Sequence, residues 1–196
     1  MSLMGELNYF LGLQIKQMAD GIYLSQNKYI KELLKKFEIN EGKTITTPMA
    51  SSSSLDKAEH AKDVDQKLYR GIIRLLLYLT ASRPNILYSE CVCARFQSAP
   101  KEPHLIAAKR ILRYLRSTTN LSLFYPKNSE FDLVGFADAD FGGCKIDRKS
   151  TSGTCFFLGN ALVAWLSIKN NTIALSTTEA EYVSLGSCYA QISWIK

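Results

Sequence analysis

The stretch from Leu133 to Leu185 constrains the fold more than any other part of the chain, because it opens as a strand, closes as a helix and places a carboxylate at each junction. Leu133, Gly135 and Ala137 alternate with Val134, Phe136 and Asp138, a strand-like period that carries Asp138 to the point where Gly142-Gly143 breaks it. Later, Ser176 is followed three residues on by Glu179, the spacing of a helix capping box. Glu179 is then tied to the helix N-terminus. Glu181 lies about 200° around the helix from it and is free to face elsewhere. A carboxylate at a strand end and another in a helix's first turn are oxygen donors of the kind a hard divalent cation takes.

The residues around these carboxylates fall into ordered motifs. They are Asp138-Ala139-Asp140-Phe141-Gly142-Gly143, then Asp147-Arg148-Lys149-Ser150-Thr151-Ser152-Gly153, then Ala174-Leu175-Ser176-Thr177-Thr178-Glu179-Ala180-Glu181-Tyr182. In this order and spacing they resemble the ribonuclease H region of copia-type retrotransposon Pol polyproteins. The resemblance implies cleavage of the RNA strand of RNA–DNA hybrids by two magnesium ions held on acidic residues. It makes Asp138 the counterpart of the family's first catalytic aspartate and Glu181 that of its helix glutamate. Both are thus candidate catalytic residues and candidate magnesium ligands. Asp140 is a spare carboxylate at the start of a turn. Two further family carboxylates come later, the next in a motif resembling Cys-Asp-Asn-Gln-Ser, and the sequence stops at Lys196 before it. The implied domain is truncated, with weak magnesium binding and no catalysis expected of this chain alone. Without the resemblance, Asp138 and Asp140 read as turn acids and Glu181 as a solvated helix residue.

Composition fits a globular chain with an acidic partner. The 196 residues are 46% hydrophobic, enough for a sizeable core, and the formal net charge is +6. A pI near 9.0 points to nucleic acid as partner, or simply to solubility charge. Five cysteines, with no Cys-x-x-Cys pair, predict reduced, partly buried thiols and an intracellular protein in the cytoplasm or nucleus. Met1 to Glu6 carries neither the basic nor the apolar region of a signal peptide. Ser150 to Ile168 is free of charge, but its glycines and the Gly159-Asn160 turn signal predict a hairpin over Gly153–Leu158 and Ala161–Leu166 rather than a membrane span.

In chain order, residues 7 to 24 read as a β-hairpin, with Leu11, Leu13 and Ile15 alternating and the turn at Asp20-Gly21. Glu6 to Gly12 resembles the segment just after the polymerase aspartates of the same family, where a primer-grip hairpin forms. The Asp-Asp motif itself would lie upstream, so polymerisation is not expected of this chain. Gln26 to Phe37 is an amphipathic helix, with Ser25 its expected N-cap, and corresponds to the start of the thumb. Residues 40 to 63 lose periodicity around Pro48 and the Ser51–Ser54 run and read as a linker or a mobile loop. Val64 to Ser82 and Ile86 to Phe96 are apolar helical patterns separated by Pro84. Arg74 and Leu75 stand where the family has Gly and Ser, larger side chains that cost stability if the helix contact there is tight.

Pro103 to Arg116 is the most basic element. Lys109, Arg113 and Arg116 share a face with Arg110 beside them, and Ile106, Ile111, Leu112 and Leu115 supply apolar positions. The helix reads either as a phosphate-contacting surface or as a solvated basic face. The run His104 to Arg116 resembles a segment of the same family, which favours nucleic acid. Arg148 and Lys149 are further candidate contacts to a hybrid backbone. The helix also contains Arg110-Ile-Leu-Arg113 and Arg113-Tyr-Leu-Arg116, the Arg-x-Leu-Arg pattern used to nominate secreted oomycete effectors. Such tetrapeptides arise readily in basic amphipathic helices.

Leu121–Tyr125 and Phe131–Ala137 read as strands flanking a turn, and Thr177 to Lys196 as the closing helix. The expected fold is α+β, a helical thumb and connection segment followed by a truncated ribonuclease H-like mixed sheet. The expected division is 1–50 for the end of the reverse transcriptase, 51–120 for linker and connection helices, and 121–196 for the first half of a ribonuclease H-like domain. Partners would be an RNA–DNA hybrid or other nucleic acid and the rest of a Pol polyprotein, with no membrane. The alternatives are part of an active ribonuclease H within a longer polyprotein, and a non-catalytic nucleic-acid-binding or effector-like protein.

Overall fold

The Asp20-Gly21 turn folds the N-terminal hairpin as expected, in a computed structural model that describes residues 6–39, 44–50, 55–128 and 130–196. Strands β2 (Leu13–Met18) and β3 (Gly21–Ser25) pair antiparallel with Met18 opposite Gly21, and β1 (Tyr9–Phe10) adds on the far side of β2. The β1–β2 turn runs through Leu11 and Gly12, both at positive φ. Gly12 is needed there twice over, because a Cβ would also overlap the hydroxyl of Tyr78, which donates to the Leu11 carbonyl at 3.0 Å. The Met1–Gly5 reading and the Ser51–Ser54 run lie outside the described residues.

Four helices make the main core: α1 (Asn27–Lys36), α2 (Gln66–Leu79), α3 (Leu87–Ala94) and α4 (Glu102–Ser117). Helices α1, α2 and α4 bury the faces that their apolar spacing marks, and Ile30, Leu33, Ile72, Leu76, Ile111 and Leu115 meet in one cluster. Ser25 does not cap α1. It ends β3, Gln26 takes the cap position without a side-chain bond, and Gln14 of β2 accepts from the Lys28 N–H at 2.8 Å instead. A neighbouring strand thus satisfies a donor that a local cap was expected to meet. Asp65 caps α2 through the Lys67 N–H at 2.8 Å. Arg74 is exposed and Leu75 only half-buried at the edge of the core, so Arg74 does not stand in a tight helix contact.

Between α2 and α3 a 3-10 turn at Pro84–Ile86 brings in a buried cation. The Arg83 guanidinium is 2% exposed and donates to the Thr118 carbonyl at 2.9 Å and the Thr118 hydroxyl at 2.6 Å. It therefore holds the C-terminal end of α4, where the helix carbonyls favour positive charge.

Strand β4 (Leu123–Pro126) departs from the expected arrangement. It pairs with β3, Leu24 opposite Leu123 and Gly21 opposite Pro126, and so belongs to the N-terminal sheet, of order β1-β2-β3-β4. Tyr23 stacks on Phe124 with ring centroids 4.6 Å apart. The segments at 121–125 and 131–137 are thus consecutive in sequence but lie in different sheets. The free edge of β3 offered unpaired backbone groups that no local pattern in 121–137 reveals.

The second sheet is β5 (Leu133–Ala139), β6 (Thr151–Leu158) and β7 (Ala161–Lys169), antiparallel in that order, so the charge-free stretch is the expected hairpin. Helix α5 (Thr177–Ile195) lies on one face of it through Ala180, Ser184 and Cys188. Ser176 caps α5 by accepting from the Glu179 N–H at 3.1 Å, and the Glu179 carboxylate accepts from the Leu175 N–H at 2.7 Å. The close seat of α5 depends on Gly135, since a Cβ there would stand 2.6 Å from Ile192 Cδ1 and 2.8 Å from Cys188 Sγ. The outer side of α5 carries exposed Tyr182, Leu185, Tyr189 and Trp194. The architecture is mixed α plus β. No helix among the described residues is long and apolar enough to cross a membrane. All five cysteines are free, and Cys93, Cys144 and Cys188 are buried.

Candidate nucleic-acid and metal-binding residues

Helix α4 sorts its basic residues by what lies beneath them. Ala108, Ile111, Leu112 and Leu115 are buried, so Lys109 and Arg113 are turned outward and are exposed. Arg110 is different. Its Nε donates to the Thr47 carbonyl at 3.2 Å and its Nη2 to the Thr47 hydroxyl at 2.9 Å, while Ser117 donates to the Ile45 carbonyl at 2.8 Å. Arg110 therefore ties a neighbouring segment to the helix. Arg116 is half-buried and engaged within the fold. The face predicted from spacing is divided between two outward cations and two that serve the structure. His104, given no chemistry in the sequence, is buried with Nδ1 accepting from the Lys101 N–H at 2.9 Å and its ring stacked on Phe96.

The loop from Phe141 to Ser150 is held by its acids. Asp140 Oδ1 accepts from the Gly143 N–H at 2.9 Å and the Thr151 N–H at 3.0 Å, so the spare carboxylate closes the turn. Asp147 pairs with Lys169 at 2.8 Å. A hydrogen bond from Cys144, then the Lys169 ammonium, hold its carboxyl well below the usual carboxylate range. Arg148 is exposed at positive φ, and Lys149 is half-buried. The pair stands at the tip of this loop.

Asp138 and Glu181 are both exposed. Strand alternation puts the Asp138 side chain on the face shared with Phe136, opposite the face on which Gly135 receives α5. Its backbone carbonyl, not its carboxylate, meets the helix, accepting from the Ser184 hydroxyl at 2.9 Å. Glu181 follows Ala180 on the flank of α5. Among the described residues no group of three or more His, Cys, Asp or Glu side chains comes together that could hold a metal ion. Magnesium requires near-octahedral oxygen ligation. Asp138 and Glu181 alone supply too few oxygen donors for such a centre.

Two groups went unnoticed in the sequence. Glu90, within the apolar run of α3, is 4% exposed, and burial raises its carboxyl to about 7. Trp165, in a strand pattern that marks it only as apolar, donates its Nε1–H to the Thr80 carbonyl at 2.9 Å and docks the second sheet against the end of α2. A tryptophan inside a charge-free strand was the one available signal, because a buried indole N–H needs a partner.

Comparison with known proteins adds ancestry to this geometry. A family model described as reverse transcriptase (RNA-dependent DNA polymerase) matches residues 1–51. A retrovirus-related Pol polyprotein from transposon RE1 of Arabidopsis thaliana is 40% identical over 190 residues, which is 97% of this chain and 13% of that protein. An uncharacterized mitochondrial protein of the same plant is 34% identical over 193 residues, 97% of this chain and 79% of that protein. A secreted RxLR effector protein of Plasmopara viticola is 38% identical over 128 residues, 65% of this chain and 90% of that protein. The chain thus spans about an eighth of the Pol polyprotein it matches, and most of the two shorter proteins. No solved structure matches.

Proposed function

Because the chain belongs to the family of retrovirus-related Pol polyproteins of copia-type transposons, we propose that it is a nucleic-acid-holding segment of reverse transcription, binding the backbone of an RNA–DNA hybrid without cutting it alone. On this reading, residues 1–50 close the reverse transcriptase, 51–120 form the connection, and 121–196 hold the first half of a ribonuclease H-like domain, which begins after β4 has completed the N-terminal sheet. The order β5, β6, β7, α5, with Asp138 in the strand and Glu181 in the helix, supports that last assignment. Asp138 and Glu181 are two carboxylates of an acidic site whose other ligands come from elsewhere in a Pol polyprotein.

The observation that carries the binding role is the outward pair Lys109 and Arg113 on a helix whose other side is locked into the core. Rigid cations one helical turn apart can contact phosphates without reading sequence. The test is hybrid affinity as a function of salt. Reversal of Lys109 and Arg113 to Glu should weaken binding and flatten the salt dependence, and unchanged binding would refute the proposal. Incubation of the hybrid with magnesium or manganese should leave it intact. Cleavage lost in both Asp138→Asn and Glu181→Gln would instead make the segment an enzyme.

An effector-like role is the second reading, favoured by the likeness to the secreted effector protein. Both Arg-x-Leu-Arg tetrapeptides lie in α4, with Leu112 and Leu115 fully buried. A receptor that reads either as an extended peptide would have to unfold α4 first.

A further inference from the structure

Helix α5 is apolar on both sides, yet the fold uses only one of them. Ala180, Ser184 and Cys188 are buried against the second sheet. On the outer side Thr178, Tyr182, Leu185, Gly186, Tyr189 and Ser193 are all exposed and fall within about 100° of helix arc. Tyr182 is 71% exposed, Tyr189 72% and Leu185 57%. A helix with apolar residues all round is ordinarily covered on both faces. None of the six is charged, and Glu181 lies about 90° to one side of them, so this stripe is separate from the acidic residues described above.

The stripe is also a palindrome. About the midpoint between Leu185 and Gly186, Tyr182 mirrors Tyr189 and Thr178 mirrors Ser193. A two-fold axis beside that midpoint, perpendicular to the helix, pairs α5 with an antiparallel copy of itself. Tyr182 of one copy then lies on Tyr189 of the other, Thr178 on Ser193, and Leu185 beside its own counterpart. Gly186 adjoins the axis. Nothing stands within 4 Å of where its Cβ would sit, and it does not have a positive φ, so neither packing nor backbone within one chain calls for glycine. A glycine inside a helix costs stability relative to alanine, and this one leaves the backbone bare where a second helix would come closest.

Charge selects the same orientation. Glu179 stands in the first turn of α5, and the exposed Lys196 directly follows its last. Antiparallel pairing lays Lys196 of each copy near the first turn of the other. Parallel pairing would set Glu179 against Glu179 and align the two helix dipoles. We propose that the outer face of α5 is covered by a second copy of this chain, in an isologous antiparallel helix pair. Tyr182, Leu185 and Tyr189 together expose roughly 400 Å² per copy, given about 150–250 Å² for a whole tyrosine. That is about half of the ~800 Å² per partner of a standard interface, so the dimer forms reversibly at micromolar concentration. It uses none of the cations of α4, which makes dimerisation and hybrid binding separable.

The test is sedimentation of the full chain, free of nucleic acid, from about 1 to about 200 μM, a range that brackets the affinity expected of such an interface. A reversible monomer–dimer equilibrium is expected. Leu185→Glu sets two carboxylates side by side at the axis and should weaken dimerisation about a hundredfold. Its thermal transition, read where the chain is monomeric, should be kept because Leu185 is exposed. Gly186→Leu should weaken dimerisation and raise that same transition, since leucine is the better helix former. Tyr182→Arg and Tyr189→Glu should each weaken the dimer, and the two together should restore it. Antiparallel pairing opposes arginine to glutamate in the double variant, whereas parallel pairing opposes like to like. Undiminished dimerisation in Leu185→Glu or Gly186→Leu, or a double variant no tighter than its singles, would overturn the proposal. A chain that stays monomeric throughout would overturn it too and leave this face to a different segment or partner.

Discussion

The indole of Trp165 donates to the Thr80 carbonyl across 2.9 Å, joining the last strand of the second sheet to the end of α2. These residues are far apart in sequence, and their bond is a direct tie between the sheet that carries Asp138 and the helical core. Trp165→Phe keeps an aromatic ring and removes the donor to the Thr80 carbonyl. The expected cost is about 1 kcal/mol, read as a lower urea midpoint without a change in slope.

Gly135 sets how closely α5 approaches β5. A Cβ there meets Ile192 and Cys188 at under 3 Å, so Gly135→Val must displace those side chains or the helix that carries them. A loss of about 1–3 kcal/mol in denaturant unfolding is expected, the usual range for overpacking. Adding Ile192→Ala should recover part of it, because the nearest colliding atom is then gone.

Arg110 and Arg113 are chemically alike and should behave oppositely. Arg110→Ala loses two bonds to Thr47 and should lower thermal stability with little effect on hybrid affinity. Arg113→Ala should leave stability unchanged and weaken hybrid binding, reducing the slope of log affinity against log salt by about one. Paired thermal melts and salt titrations of the two variants decide it.

Glu90 gives the fold a pH dependence. Its folded carboxyl is raised by burial to about 7 from an ordinary 4.5. The folded state therefore holds this proton more tightly than the unfolded chain, so the group favours folding most below about 4.5. That contribution falls as pH rises through about 7 and is then constant, a change of about 3 kcal/mol at most. Glu90→Gln should flatten stability between pH 5 and 8 in urea unfolding series, and the variant should be the more stable protein at pH 8.

Much of the local structure was legible. The Asp20-Gly21 hairpin, the amphipathic helices, the Gly159-Asn160 hairpin and the Ser176 cap each depend on residues close in sequence, where turn chemistry and periodicity act directly. What failed involved partners brought from afar. Ser25 ends β3 and Gln14 of the neighbouring strand accepts from the Lys28 N–H in place of a local cap, and β4 pairs with the open edge of β3 rather than with its sequence neighbour. At the candidate sites the spacing of Lys109, Arg110, Arg113 and Arg116 marked a basic face, yet nothing in that spacing told that Thr47 would occupy Arg110.

The sequence by itself determined which residues are strand and which are helix in Leu133–Leu185, the capping of α5, the buried side of α4 and the family, because all of these are carried by residue type at fixed short intervals. Only the tertiary structure decided which cations face outward, that Asp138 and α5 take opposite sides of β5, and that Gly186 stands on the open side of α5. Those outcomes depend on sheet register and on the docking of one unit against another. Both are fixed by long-range hydrogen bonds and close packing, which leave no periodic trace in the chain.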